Sequence, residues 1–286
     1  MYVALALASA LFAGATSILA KIGIRDADSD LVTALRTGVV LVCAWGMAAL
    51  THSLGGIAQL SPRGAVFLVL SGLCTGASWV CYFRALQKGN VHGVAAIDKS
   101  STVLTMLLAA LLLGEPLTGW KLPGMGILAV GTVLMLDWSR APSGAPRAAG
   151  WLLYAILSAL FAALTSILTK IGLEAVESNL ATALRTTVVL AMAWALVFAR
   201  GKQRLVRSLD RRTLGFTALS GLATGASWLC YNRALQLGPA SVVAPLDKLS
   251  ILVTVGFACL FLGERLSRRA TAGLVLLTTG TFLLLL

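Results

Sequence analysis

The sequence predicts an all-α integral membrane protein whose ten transmembrane helices form two inverted five-helix repeats. Three observations lead there. Of the 286 residues, 58% are hydrophobic and only 12% are charged, a balance that would aggregate in water and suits a bilayer. Residues 1–137 align with 150–286 without a gap at a constant offset of 149, with 62 of 137 positions identical, about 45%. Each copy holds five apolar stretches of membrane-crossing length, and an odd number turns the second copy upside down relative to the first.

In the first copy the predicted spans lie near 2–22, 31–51, 64–86, 91–113 and 122–137. In the second they lie near 151–171, 180–199, 213–235, 240–262 and 270–286. Each has roughly the 17–25 residues that a hydrocarbon core requires. Residues 138–149, W-S-R-A-P-S-G-A-P-R-A-A, form a linker between repeat 1 (1–137) and repeat 2 (150–286). The first stretch reads as a span rather than a signal peptide. It lacks a basic n-region, and its counterpart starts in mid-chain at Gly150.

A formal charge of +12 does not point to nucleic acid here, because Lys and Arg gather in the short connections, where they orient membrane proteins. Fifteen fall on one set of alternating connections, dominated by 200–212, and four on the other. That bias puts both termini outside the cytoplasm. Cys43, Cys74, Cys81, Cys230 and Cys259 all sit in apolar stretches without C-x-x-C spacing. They read as small buried hydrophobes, and the sequence suggests no metal or cofactor site.

Seven charged residues recur in type at the offset: Lys21, Arg36, Arg63, Arg84, Asp98, Lys99 and Glu115. Asp98 and Lys99 fall about 10 Å into the fourth span, at 1.5 Å per residue from its start. Neighbours in a helix point about 100° apart, so this pair cannot neutralise itself and needs partners on other helices. The topology gathers Lys21, Arg36, Arg84, Asp98 and Lys99 in one leaflet, and Lys170, Arg185, Arg233, Asp247 and Lys248 in the other. These clusters are candidates to line two vestibules of one central cavity. Asp98 and Asp247 are expected either to pair with Arg36 and Arg185 or to titrate as proton-coupling sites, with Lys21 and Lys170 as further coupling or ion-pair residues. Lys21 and Arg84 also lie close enough to helix ends to snorkel.

Polar stripes favour such a cavity. On the third span Ser71, Thr75, Ser78 and Tyr82 share one helical face, and on the eighth Ser220, Thr224, Ser227 and Tyr231 repeat it. Single hydroxyls also serve as interhelical glue. Beside each stripe lies G-x-x-x-G, Gly72/Gly76 and Gly221/Gly225, which reads as close helix packing. Trp79 and Trp228 either stack on a substrate or fill space. The copies differ where Pro245 replaces Ala96, which kinks the ninth span, and where His92 faces Ser241.

Each copy carries G-E-x-L after its fourth span, Gly114-Glu115-Pro116-Leu117 and Gly263-Glu264-Arg265-Leu266. With ten spans in two halves, the chain resembles the EamA family of the drug/metabolite transporter superfamily over essentially its whole length. The resemblance implies a bacterial inner-membrane protein that moves small metabolites by alternating access around a cavity between the halves. It carries over no defined substrate residues. It also implies cytoplasmic termini, against the charge count. The halves are more alike than is usual in the family and resemble single five-helix members that pair antiparallel.

The expected function is therefore secondary active transport, in the export direction, of small polar or anionic metabolites such as amino acids. Arg36, Ser78, Trp79, Tyr82, Lys99, Arg185, Ser227, Trp228, Tyr231 and Lys248 are the expected substrate-binding residues. The alternative is an exporter of cationic or hydrophobic compounds whose intramembrane charges are structural. The partners expected are a small-molecule substrate and the bilayer, with protons as a coupling ion, and the protein itself as a monomer or weak homodimer. An enzyme is disfavoured: only His52 and His92 are present, with no G-x-S-x-G and no G-x-x-x-x-G-K-[ST] motif.

Overall fold

The computed structural model describes residues 1–23, 27–88, 94, 97–98, 100–117, 119–135, 150–174, 176–261 and 267–286. Among these residues it is wholly helical, with no strand. In the first copy α1 is Tyr2–Gly23, α2 Ser29–Leu50, α3 Pro62–Lys88, α4 Ser101–Leu113 and α5 Lys121–Leu134. In the second α6 is Trp151–Leu173, α7 Ser178–Ala199, α8 Arg211–Leu237, α9 Ala240–Asp247, α10 Ser250–Phe261 and α11 Arg268–Leu283.

Local chemistry sets these boundaries. Asp28 caps α2 by accepting from the amides of Asp30 and Leu31, and its counterpart Glu177 caps α7 through Asn179 and Leu180. Both helices stop at a left-handed residue, His52 with φ 54° and Gly201 with φ 67°. Each then enters a 3-10 helix, Ser53–Ile57 and Lys202–Ser208. The predicted ninth span is two helices, α9 and α10. The helix carries Pro245 within it and ends at Asp247, and tight turns at Lys248 and Leu249 lead into α10, as Ser100 turns back to Ile97 in the first copy, where Ala96 takes the proline's place.

Six segments are long and apolar enough to cross a bilayer: Tyr2–Leu19, Ser29–Leu50, Pro62–Tyr82, Trp151–Leu173, Ser178–Ala199 and Ala240–Phe257. Helices α4 and α5 are apolar but shorter. The 27-residue α8 is long enough, but its hydroxyl stripe, Asn232 and three arginines dilute its hydropathy. The linker 138–149, most of 89–100 and Gly263–Leu266 lie outside the described residues.

Most helices pack chiefly against the other copy. Helix α1 lies on α8, α9 and α10, α3 lies on α6 and α7, α2 lies on α7 and α8, and α5 lies on α11. Exchanging the copies reproduces individual contacts. A Cβ at Gly72 would sit 2.7 Å from Val188 and 3.1 Å from the Arg185 carbonyl, and one at Gly221 2.7 Å from Val39 and 3.1 Å from the Arg36 carbonyl. Gly76 faces Met192 as Gly225 faces Cys43. Both G-x-x-x-G motifs therefore form the α3–α7 and α2–α8 seams. Small residues fill the interior, with Ala6, Ala10, Ala155 and Ala159 buried, while Leu111 and its counterpart Leu260 are 79% and 81% exposed. That distribution suits helices that pack closely in lipid.

At the end where α2 begins, Asp30 binds Arg200 at 2.7 Å and Lys202 at 2.5 Å, and Lys202 reaches Asp28 at 2.6 Å. At the opposite end the positions equivalent to Asp30 and Arg200 are Asn179 and Thr51, joined by an uncharged hydrogen bond of 3.2 Å. Among the described residues, the first end is tied by charge and the second by an uncharged pair. Burial pushes the Asp28 carboxyl up, but Lys202 and the amides of Leu31 and Asp30 outweigh it and hold it below the usual 3.8. Burial pulls Lys202 down, and Asp28 and Asp30 outweigh that, holding it above 10.5.

The tie is therefore complete at neutral pH. The Asp28 share is lost as pH falls below 3.8 through the depressed folded value, and the Lys202 share as pH rises above 10.5 through the raised one. We expect Lys202→Ala to cost about 1 kcal/mol, roughly 2 °C in thermal midpoint at pH 7. The difference from wild type should shrink in acid. A midpoint difference independent of pH would assign the loss to packing instead.

Candidate functional site

Two seams of buried hydroxyls run between the copies, and buried hydroxyls must find partners. On the α1–α8 seam Ser9 Oγ shares a 3.0 Å hydrogen bond with Ser227 and donates to Asp247 Oδ1 at 2.6 Å. On the α3–α6 seam Ser158 Oγ lies 3.3 Å from Ser78 Oγ and donates to Asp98 Oδ1 at 3.4 Å. Farther along, Thr16 meets Thr224 at 3.2 Å and Thr75 meets Thr165 at 3.4 Å. Every one of these contacts maps onto another when the copies are exchanged. Each carboxylate is thus held by a serine of the opposite copy.

The arginines behave differently from the ion pairs anticipated above. Arg185 is 5% exposed and donates from Nε to Ser71 Oγ at 3.3 Å and from Nη2 to Thr75 Oγ1 at 3.0 Å. Its guanidinium lies 5.2 Å from the centre of the Trp228 ring, a cation–π distance. Among the described residues no salt bridge joins it to Asp247, nor Arg36 to Asp98. Desolvated Arg185 has its hydroxyls and ring, and Asp247 has Ser9. On the other side the symmetry breaks, because Ser220 Oγ, the counterpart of the Ser71 Oγ that Arg185 binds, is buried without a hydrogen-bond partner.

A cavity of about 270 Å³ opens where these seams meet. Helices α3 and α6 contribute Thr75, Ser78, Trp79, Thr165 and Ser166, and α1 contributes Ala13. Helices α7 and α8 add Arg185, Ser227, Trp228 and Tyr231, and the break between α9 and α10 adds Asp247 and Lys248. Tyr231 is oriented by a 3.0 Å hydrogen bond to Ser166. The break between α9 and α10 is thus what sets Asp247 and Lys248 at the cavity wall.

Eight of the residues expected to bind substrate or couple transport line this one space: Ser78, Trp79, Arg185, Ser227, Trp228, Tyr231, Asp247 and Lys248. Others do not. Tyr82 packs with Ala85, Val94, Trp151 and Tyr154 in an apolar cluster. Asp98 is half-buried beside Ser158, and Arg36 is half-buried on α2. Lys170 does not face the cavity: its ammonium donates to the carbonyls of Leu235 and Gly238 at 2.5 and 2.6 Å, closing the C-terminus of α8. Lys99, His92 and the side chain of Lys21 lie outside the described residues.

Sequence reasoning passed over two features. Ser9 and Ser158 hold the carboxylates, and their signal was identity at the offset on the first span of each copy. Glu115 of the G-E-x-L motif accepts from the amides of Ala240 at 2.6 Å and Ser241 at 2.8 Å. It thereby caps α9, where a helix N-terminus favours a negative charge. The first copy's motif thus anchors the broken helix of the second.

Known proteins match this architecture. The model of the EamA-like transporter family matches residues 1–137 and again 149–286. A Sinorhizobium sp. protein named "Uncharacterized transporter in cobO 3'region" is 48% identical over 134 residues, which are 47% of this chain and 95% of that protein. A solved crystal structure of another protein superposes with a TM-score of 0.81 at 17% identity, covering 99% of this chain and 95% of the other, which speaks to the fold alone. With the family model covering both copies, and with helices apolar enough to cross a bilayer, the chain is a multi-pass membrane protein of the EamA-like transporter family, within the drug/metabolite transporter superfamily.

Proposed function

We propose that the protein is a secondary active exporter of small polar or anionic metabolites, amino acids included, in a bacterial inner membrane. The ten predicted spans act as two inverted repeats, and substrate occupies the cavity between them under alternating access. The observation that carries this reading is Arg185. Its fork is pinned by Ser71 and Thr75 and its face is backed by Trp228, with Lys248 on the same wall. A guanidinium held this way is preorganised for a carboxylate or phosphate. Ser78, Trp79, Ser227 and Tyr231 supply the remaining contacts.

The broken symmetry fits a two-state cycle. Ser71 is engaged by Arg185 while Ser220, its counterpart in the second copy, lacks a partner. Exchanging those roles would exchange the two vestibules, with Asp98 and Asp247 as the proton-coupling pair. A half-length relative such as the Sinorhizobium sp. protein, of which 134 residues are 95%, suits a fusion of two antiparallel five-helix units.

A second reading, export of cations with Asp247 as their ligand, draws on the carboxylate in the same cavity. Flux in proteoliposomes separates the two. Lys248→Ala is expected to weaken uptake of a labelled carboxylate about tenfold, and Asp247→Asn to remove its pH dependence. Carboxylate affinity equal to wild type in Lys248→Ala would reject the anion reading. Faster flux of an organic cation in that variant would favour the second.

A further inference from the structure

A second cavity of about 270 Å³ begins at the same lysine. Lys248 lines both spaces, which are therefore neighbours across that residue. The walls differ in character. Leu128 and Met135 of α5, Ile251 of α10 and Leu277 of α11 give the second cavity aliphatic sides. The hydroxyls of Ser17, Thr132 and Thr254 each donate to a carbonyl of their own helix, Ala13, Leu128 and Ser250. Such hydroxyls are already satisfied, so the two threonines offer chiefly their methyls. In the first cavity Ser166 and Tyr231 bind each other across helices, and Thr75 also accepts from Arg185. The first space is charged and polar; the second is mainly apolar, with Thr102 and Ser250 also on its wall, and Lys248 borders both.

We infer that the transported substrate is an amphipathic anion. Its carboxylate lies between Arg185 and Lys248, and an uncharged aliphatic or aromatic tail fills the second cavity. This rests on the anion reading of the first cavity and narrows it. A purely polar anion would leave apolar walls facing water, whereas a tail buries them at a gain of about fourfold in affinity per methylene. The length of the second cavity then sets specificity, and the first sets charge.

The test is binding of straight-chain carboxylates from acetate to octanoate to purified protein in lipid nanodiscs, with empty nanodiscs as reference. Affinity should rise about fourfold per methylene and then level off once the tail fills the cavity. Thr254→Phe, which adds bulk to that space, should move the levelling to shorter acids. Lys248→Ala should lower affinity about tenfold at every length. Acids that bind equally at all lengths would overturn the inference while leaving the anion reading intact. Failure of every acid to bind would sink both. Alcohols binding as well as acids, with no effect of Lys248→Ala, would mark the space as an acyl-chain crevice of the bilayer and overturn the inference too.

Discussion

Arg185→Ala is expected to weaken carboxylate binding by roughly 10- to 150-fold, the loss of one charge-assisted hydrogen bond worth about 1.5–3 kcal/mol. The protein should still fold. Ser71 donates to the Leu68 carbonyl at 2.7 Å and Thr75 to the Ser71 carbonyl at 2.9 Å, so neither hydroxyl is stranded when the guanidinium goes. Arg185→Lys should recover only part of the affinity. A lysine keeps the charge but cannot hold Ser71 and Thr75 together while facing Trp228. Titration calorimetry on the purified variants measures both effects. Arg36→Ala is the informative comparison, because its counterpart hydroxyl at Ser220 is unengaged. It should spare binding and slow turnover. Equal binding losses in the two arginine variants would contradict the asymmetric role.

The second large effect is expected at the α5–α11 seam. Gly124 faces Gly280, and Gly131 faces Gly273, each pair related by the same exchange of copies. A Cβ at Gly131 would lie 2.8 Å from the Gly273 carbonyl oxygen, and one at Gly280 2.6 Å from the Leu128 nitrogen. These neighbours are backbone and cannot rotate away. Gly131→Ala should therefore cost about 1–3 kcal/mol as the helices are forced apart, and Gly131→Leu should yield no monodisperse protein. Gly126 lies on the same helix with nothing within 4 Å of an added Cβ, so Gly126→Ala should leave the thermal midpoint where it was. A wild-type midpoint in Gly131→Ala would show that the seam is not close-packed.

The internal repeat made much of this legible before any coordinates. Gly72 and Gly76 read as packing positions and meet Val188 and Met192. The polar stripe of α8 reaches the cavity through Ser227 and Tyr231. Pairing across copies was not legible, because an offset states which residues correspond and not which touch. The offset therefore does not mark Ser9 as the partner of Asp247, nor Ser71 and Thr75 as those of Arg185, and it leaves pairing and titration of that carboxylate equally open.

Lys170 misled for a related reason. A lysine near a helix end within an apolar segment looks like a buried charge, yet a nearby helix C-terminus offers it the carbonyls of Leu235 and Gly238. The 3-10 turns after α2 and α7 hold the opposite lesson. Residues 51–59 share no identity with 200–208, and both copies still turn through a left-handed residue into a 3-10 helix. Packing of α2 on α7 constrains both exits more than their side chains do.

The central claim is that one anion-binding cavity between the copies is exposed to each side of the membrane in turn. Counterflow tests it most directly. Proteoliposomes are loaded with an unlabelled carboxylate that binds the purified protein, and uptake of trace labelled carboxylate is followed. A carrier of this kind predicts a transient accumulation of label above equilibrium, saturable in substrate and lost in Arg185→Ala. Uptake that rises linearly with concentration, without accumulation and unaffected by Arg185→Ala, would contradict the account.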